Sequence, residues 1–169
     1  MIEIRRTKDL SEEDHQALFG WGKDLFGVLP FDITWRPKDW HIVAYSEGTP
    51  VAHAGVLRHD VLVDGQPVAV GGLGGVITVL EHRGRGLAQL VVQDAVAFMA
   101  GELGAGFGFL FCLPPLVPFY EKMGWQELRS SVLIDQSGGE IESPVCAMVL
   151  PLHGEPWPEG RVRMQSLPW

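Results

Sequence analysis

Val76-Ile-Thr-Val-Leu-Glu-His-Arg-Gly-Arg-Gly-Leu-Ala-Gln-Leu90 runs an apolar, β-branched strand straight into a glycine-punctuated turn that opens a helix. The first amides of a new helix have no intrahelical partner, and they sit at the positive end of the helix dipole. Glycines at such a turn let a pyrophosphate approach the backbone closely, so the stretch reads as a phosphate cradle. Arg83 and Arg85 add positive charge at the same place. It is not the dinucleotide fingerprint G-x-G-x-x-G, because Gln89 stands where the third glycine belongs. No Gly-Lys-Ser/Thr occurs, which excludes a Walker A loop. The alternative at this level is a tight strand-to-helix turn that needs glycine and binds nothing.

The rest of the composition narrows the class. A chain of 169 residues suits one well-buried domain spanning 1–169, and 46% hydrophobic with 20% charged residues reads as globular. No run approaches a membrane span, and Met1-Ile-Glu-Ile-Arg5 lacks the order of a signal peptide, so a cytoplasmic protein without membrane contact is expected. The net charge of −8 argues against nucleic-acid binding and favours a cationic small molecule, although such charge also serves solubility. Cys112 and Cys146, apart in sequence and in apolar surroundings, read as two buried reduced thiols. The histidines do not cluster at ligand spacing, so no metal is expected.

Periodicity and turn signals give an order of elements. Ile2–Arg6 reads as a strand, and Ser11 caps a helix that carries Ala17, Leu18, Trp21 and Leu25 on one face. The segment from Gly27 to Trp40 reads as a loop or broken helix. Strands follow at Ile42–Tyr45, Val51–Val63 and Pro67–Leu80, the last two joined by a hairpin at Asp64-Gly65. Gly71-Gly-Leu-Gly-Gly75 predicts a bulge or a close backbone approach in the third. A helix from Leu87, a strand at Phe107–Cys112, a short helix at Pro115–Met123 stopped by Gly124, and strands around Leu128–Ile134 and Val145–Leu150 complete the order β-α-β-β-β-α-β-α-β-β.

The spacing R-x-x-G-x-A, met by Arg83, Gly86 and Ala88, resembles the acyl-CoA pyrophosphate signature of the GNAT N-acetyltransferases. Phe119-Tyr-Glu-Lys-Met-Gly-Trp125 looks like the tyrosine-bearing short helix and glycine turn of the family's C-terminal half. This resemblance implies an α/β fold with a mostly antiparallel mixed sheet, flanked by helices and with splayed central strands. It also implies an acetyl-CoA-dependent N-acetyltransferase acting on a small-molecule amine, and leaves room for a homodimer. Acetyl-CoA would lie on the backbone of Val76, Ile77 and Thr78 and on Arg83, Gly84, Arg85, Gly86, Leu87, Ala88 and Gln89. Tyr120 matches the tyrosine proposed to protonate the departing thiolate; packing beside Phe119 is its other reading.

No base carries over, since Gly74 and Gly75 occupy the neighbourhood of the family's strand glutamate. His53, on a strand between apolar residues, is the candidate side chain, with a hydrogen-bonded core histidine as the alternative. For the acceptor, Asp32 with Trp35 and Trp40 in the Phe31–Trp40 segment, and Trp169 at the end of an apolar tail, suggest a site for a cationic amine. Capping by Asp32 and lid packing by the tryptophans is the other reading. The tail 151–169 is expected to fold back on the domain or on a second subunit.

Within the superfamily, Val51-Ala-His-Ala-Gly-Val56, Leu62-Val-Asp-Gly65, Tyr120–Trp125 and the closing tryptophan are similar to the aminoglycoside 2′-N-acetyltransferase type. An aminosugar is therefore a candidate acceptor. Two departures stand out: Gly74 replaces the strand glutamate, and Met164-Gln-Ser-Leu-Pro-Trp169 replaces an Asp-rich end. The Trp157-Pro-Glu-Gly160 tail is similar to rhizobial nodulation acyltransferases, which leaves open a longer acyl group. A catalytically silent acyl-CoA-binding domain is the contrasting class.

Overall fold

The computed structural model describes residues 1–22, 25–26 and 32–169. Strand β1 (Ile2–Thr7) leads to helix α1 (Glu12–Phe19), whose first turn is capped by Ser11 Oγ accepting from the Asp14 amide at 3.0 Å. Gly20 ends this helix, so Trp21 and Leu25 lie beyond it rather than on its face. Residues 27–31 of the expected loop lie outside the described residues. Strands β2 (Trp40–Ser46), β3 (Thr49–Val63) and β4 (Gln66–Thr78) form an antiparallel meander. Asp64 and Gly65 both have positive φ, as the tight turn between β3 and β4 requires.

A one-turn 3₁₀ segment (Leu80–His82) precedes α2 (Leu87–Gly101), which returns the chain to β5 (Phe107–Cys112), parallel to β4. A second 3₁₀ turn and the short α3 (Val117–Glu121) follow, closed by Gly124 at φ 93°. The strand expected at Leu128–Ile134 is instead split into β6 (Gln126–Glu127) and β7 (Val132–Gln136). β7 forms a hairpin with β8 (Gly139–Glu142), which has no apolar alternation and so gave no signal. β9 (Cys146–Pro151) and the two-residue β10 (Val162–Arg163) complete a mixed sheet ordered β6-β9-β5-β4-β3-β10-β7-β8, with β2 and then β1 on the first half of β3.

Fifteen-residue β3 carries β2 along its first half and β10 near its end, so the sheet curls around it. One hydrophobic cluster packs Leu18, Val91, Ala95, Phe98 and Met99 of the helices against the meander. The other gathers Val61, Val70, Phe109 and Val149 under the tail residues Val162, Met164 and Trp169. The Trp169 ring is buried against Phe109 and Phe111, and its Nε1–H donates to the Phe109 carbonyl at 3.0 Å. Cys112 and Cys146 are free and stand directly opposite each other on β5 and β9. Cys146 is only partly buried, which corrects the expectation of two buried, separate thiols.

Trp169→Ala would leave a large void under the sheet and an unpaired Phe109 carbonyl. The expected loss is about 3–5 kcal/mol of unfolding free energy, read from urea denaturation.

Candidate active site

β4 pairs with β3 along most of its length, but with β5 only from Val70 to Leu73. Beyond Leu73 the two central strands part, and the backbone of residues 74–78 faces a cleft. The parting starts at a bulge. The β3–β4 register shifts between His53 and Gly55, and Gly75 sits at φ 60°, a conformation that other residues reach only with strain. The Gly75 carbonyl accepts from His53 Nδ1–H at 2.6 Å. Because the carbonyl of one residue and the N–H of the next point opposite ways across a trans peptide, this bond turns the Val76 N–H away from β3.

His53 is buried behind Phe19, whose ring meets it edge-on at 5.1 Å. With Nδ1 donating, its Nε2 accepts from His41 Nδ1–H at 2.8 Å. Burial lowers the imidazole to about 4, so it is neutral at physiological pH. Both ring nitrogens are therefore engaged and none is open to take a proton from an incoming amine. Through these two hydrogen bonds the His53 ring holds the bulge, as in the hydrogen-bonded core reading of this histidine.

The cleft has a volume of about 1120 Å³ and runs from this bulge to the start of α2. Gly86 caps α2 in the left-handed conformation at φ 75°, with open space where a Cβ would stand. The first intrahelical bond runs from Leu90 N to the Gly86 carbonyl, leaving the amides of Leu87, Ala88 and Gln89 unpaired in the helix. Gly84, Gly86, Leu87, Ala88 and Gln89 line the cleft with Val76, Ile77 and Thr78. Arg83 also lines it and donates Nε–H to the Thr78 carbonyl at 3.2 Å. Arg85 is exposed and is not among the lining residues. Thr78 Oγ1 is buried with no hydrogen-bond partner, a polar atom left for a ligand.

Tyr120 lines the opposite wall, buried between Phe119 and Trp125, and burial pushes its phenol well above the ordinary range. At the other end of the cleft stand Trp35, Phe111 and Trp169. Trp35 meets Phe111 edge-on at 6.5 Å, and the Arg36 amide donates to the Pro168 carbonyl at 2.7 Å, joining the segment before β2 to the tail. Asp32 is exposed and outside the lining; Phe31, the first residue of that segment, is outside the described residues. Among the described residues no cluster of metal-ligating side chains occurs, and no helix is long and apolar enough to cross a membrane.

Lys38 went unnoticed in the sequence, yet it is the one lysine among the described lining residues. The signal that could have found it is a pair of glycines, Gly55 and Gly74, facing each other across β3 and β4. A sheet face stripped of side chains at one spot has to be covered by something else.

The model of the Acetyltransferase (GNAT) domain matches residues 9–128. The chain belongs to the GNAT acetyltransferase family. Nodulation protein A from Azorhizobium caulinodans is 33% identical over an alignment of 176 residues covering 90% of this chain and 76% of that protein. Among solved structures, Escherichia coli ElaA has a TM-score of 0.60 at 22% identity, over 89% of this chain and 99% of that one. A GNAT family acetyltransferase from Brucella melitensis, crystallised in complex with acetyl-CoA, has a TM-score of 0.60 at 17% identity, over 96% and 94%. The curled mixed sheet flanked by helices is the GNAT acyl-CoA N-acyltransferase fold, and the chain is an acyltransferase with acetyl-CoA as co-substrate.

The depressed ionisation of His53 makes the bulge sensitive to acid. Its folded value near 4 lies below the ordinary 6.5, so the unfolded chain binds the proton first as pH falls. The stabilisation is complete above pH 6.5 and is lost as pH drops towards 4, by up to about 3 kcal/mol. In His53→Gln, whose amide can still donate to Gly75, melting temperature should fall less over this window than in the unmodified protein.

Proposed function

We propose that this protein transfers an acetyl group from acetyl-CoA to a primary amine of a small molecule, by direct attack of the amine on the thioester. The observation that carries the reading is the coincidence, in one cleft, of strand amides freed at the Gly75 bulge with unpaired helix amides at Gly86. The orphaned Thr78 hydroxyl, the open space at Gly84 and Gly86 and the positive helix end suit pantetheine and pyrophosphate. In this reading the pyrophosphate lies on the amides of residues 84–89 with Arg83 beside it, and pantetheine runs along residues 76–78. The co-substrate supplies an acetyl group activated as a thioester.

The Val76 N–H is turned towards the thioester carbonyl, where a developing oxyanion would be stabilised without reorganisation. Tyr120 keeps its proton at all physiological pH values and donates it to the departing sulfur. The acceptor enters at the end of the cleft lined by Trp35 and Trp169 and attacks as the free amine. The described lining residues include no Asp or Glu side chain; Trp169, the last residue, brings its terminal carboxyl to the cleft beside Gly74. A polycationic aminoglycoside finds no acidic side chain among those residues, and Asp32 stands outside the cleft. The aminosugar reading rests on local sequence similarity around Val51–Val56 and Tyr120–Trp125, and the lining gives it no support.

Thiol release from acetyl-CoA against an amine panel tests the activity. Acceptor-dependent release supports transfer, whereas tight CoA binding without release for any amine would leave a binding domain. Gly86→Asp puts a carboxylate against the phosphates and should weaken CoA binding by at least about tenfold by calorimetry; unchanged affinity in the folded variant contradicts the placement. Tyr120→Phe removes only the hydroxyl and should lower kcat by about 10²-fold with CoA affinity retained, and a rate equal to that of the unmodified protein would reduce Tyr120 to packing.

A further inference from the structure

Trp35 is the exposed member of an aromatic row across the acceptor end of the cleft. Its ring meets Phe111 edge-on with centroids 6.5 Å apart, and Phe111 meets Trp169 edge-on at 6.0 Å. All three line the cleft. Trp40, the other tryptophan of that segment, packs instead against Phe98 of α2 at 5.6 Å and is not among the lining residues. Trp169 is buried, whereas Trp35 keeps 37% of its surface exposed. No ring among the described residues is stacked parallel on it, so its flat face is open.

The backbone on either side of Trp35 is fastened. The Thr34 amide donates to Gln136 Oε1 at 2.9 Å, and the Thr34 carbonyl accepts from Gln136 Nε2 at 3.1 Å. The Arg36 amide donates to the Pro168 carbonyl at 2.7 Å, and Arg36 Nη1 donates to Ser166 Oγ at 3.2 Å and to His59 Nδ1 at 3.1 Å. His59 Nε2–H in turn donates to the Met164 carbonyl at 2.7 Å, which leaves Nδ1 as the acceptor. These bonds tie the segment to β7, to β3 and to the tail, and hold an indole in place that packing alone does not bury. A single exposed tryptophan needs no explanation, but Phe26 and Leu116 are exposed too and line the same cleft. Apolar surface gathered around one concave site marks a ligand groove.

The polar groups at the inner end of the row answer one another. Lys38 Nζ and the terminal carboxyl carbon of Trp169 lie 3.0 and 2.8 Å from the point where a Cβ on Gly74 would stand, so ammonium and carboxyl share one spot. The row beyond them is apolar, and a ligand body on it gains by burying ring surface and by aromatic contacts rather than by charge.

We propose that Trp35 and Phe111 form an aryl-binding slot, so that the acceptor is an arylalkylamine, a primary amine on a short alkyl arm carrying a flat aromatic ring. The inference rests on the acetyltransferase reading for the role of the amine. The ring lies on the open face of Trp35, and the arm carries the amine inward past Gly74 to the thioester at the bulge. Transfer forms the amide C–N bond and breaks the thioester C–S bond; one proton leaves the attacking amine for solvent and the thiolate receives one from Tyr120. Trp35 is then the residue that selects the acceptor.

The test compares phenethylamine and tryptamine with cyclohexylethylamine, ethanolamine and glucosamine as acceptors in thiol release, and N-acetyltryptamine with N-acetylethanolamine as ligands of the CoA-bound protein in calorimetry. At least one aromatic amine should exceed ethanolamine and glucosamine by about tenfold or more in kcat/KM, and phenethylamine should exceed cyclohexylethylamine by about threefold or more. Trp35→Ala should bring these ratios towards one, chiefly through KM for the aromatic amines, and Trp35→Phe should retain most of them; melting curves check that both variants fold, and the amine series on the unmodified protein tests the proposal without any variant. Equal or better use of the ring-free or saturated amines, a preference that survives in Trp35→Ala, or absence of both turnover and binding for every aromatic ligand would overturn the proposal. Faster turnover of hexanoyl-CoA than of acetyl-CoA that is lost in Trp35→Ala would overturn it in favour of an acyl-chain slot. Trp35-dependent binding of N-acetyltryptamine without thiol release for any amine keeps the slot and sinks the transferase reading. Thiol release confined to ethanolamine and glucosamine does the reverse.

Discussion

The bond from His53 Nδ1–H to the Gly75 carbonyl, 2.6 Å long and inside the protein, holds the two central strands in the shape that creates the cleft. A bulge costs a ladder bond, and the freed carbonyl would be left unsatisfied without a partner. His53 supplies that partner, His41 fixes the tautomer of His53, and Phe19 covers the ring. With the carbonyl committed to β3, the peptide has its N–H on the side where β5 has left. The geometry used for binding is thus set by a pair of neutral imidazoles, and it depends on their staying neutral.

The second constraint is electrostatic. The chain carries a net charge of −8, but the described residues around the cleft offer Arg83 at one end, Lys38 at the other and no Asp or Glu side chain. Net charge reports on the outer surface and the long-range field; affinity at a site is decided by groups within a few ångströms in a low-dielectric setting.

What could be read in the sequence was local. The strand-turn-helix from Val76 to Leu90, the Asp64-Gly65 turn, the Phe107–Cys112 strand and the glycine-closed helix at Tyr120 each follow from neighbouring residues, and the structure shows all four. What could not be read depended on partners far along the chain. His53 and Gly75 are 22 residues apart, and either role of the histidine fitted its apolar neighbours. Lys38 is polar, lies in no periodic element, and acquires meaning only once Gly55 and Gly74 face each other. β8 and β10 are short, with little or no alternating pattern, and β10 is held by pairing to β3 and β7. Arg85 stands between the two glycines of the turn yet is exposed and outside the cleft lining.

The central claim is that one continuous run of backbone amides, opened at the Gly75 bulge and at the Gly86 cap, receives acetyl-CoA. Amide hydrogen exchange followed by mass spectrometry, with and without saturating acetyl-CoA, addresses those amides themselves. The account predicts added protection concentrated in peptides covering residues 74–78 and 84–90, with little change in β1, β7 and β8. Protection elsewhere with these two segments unchanged would contradict it.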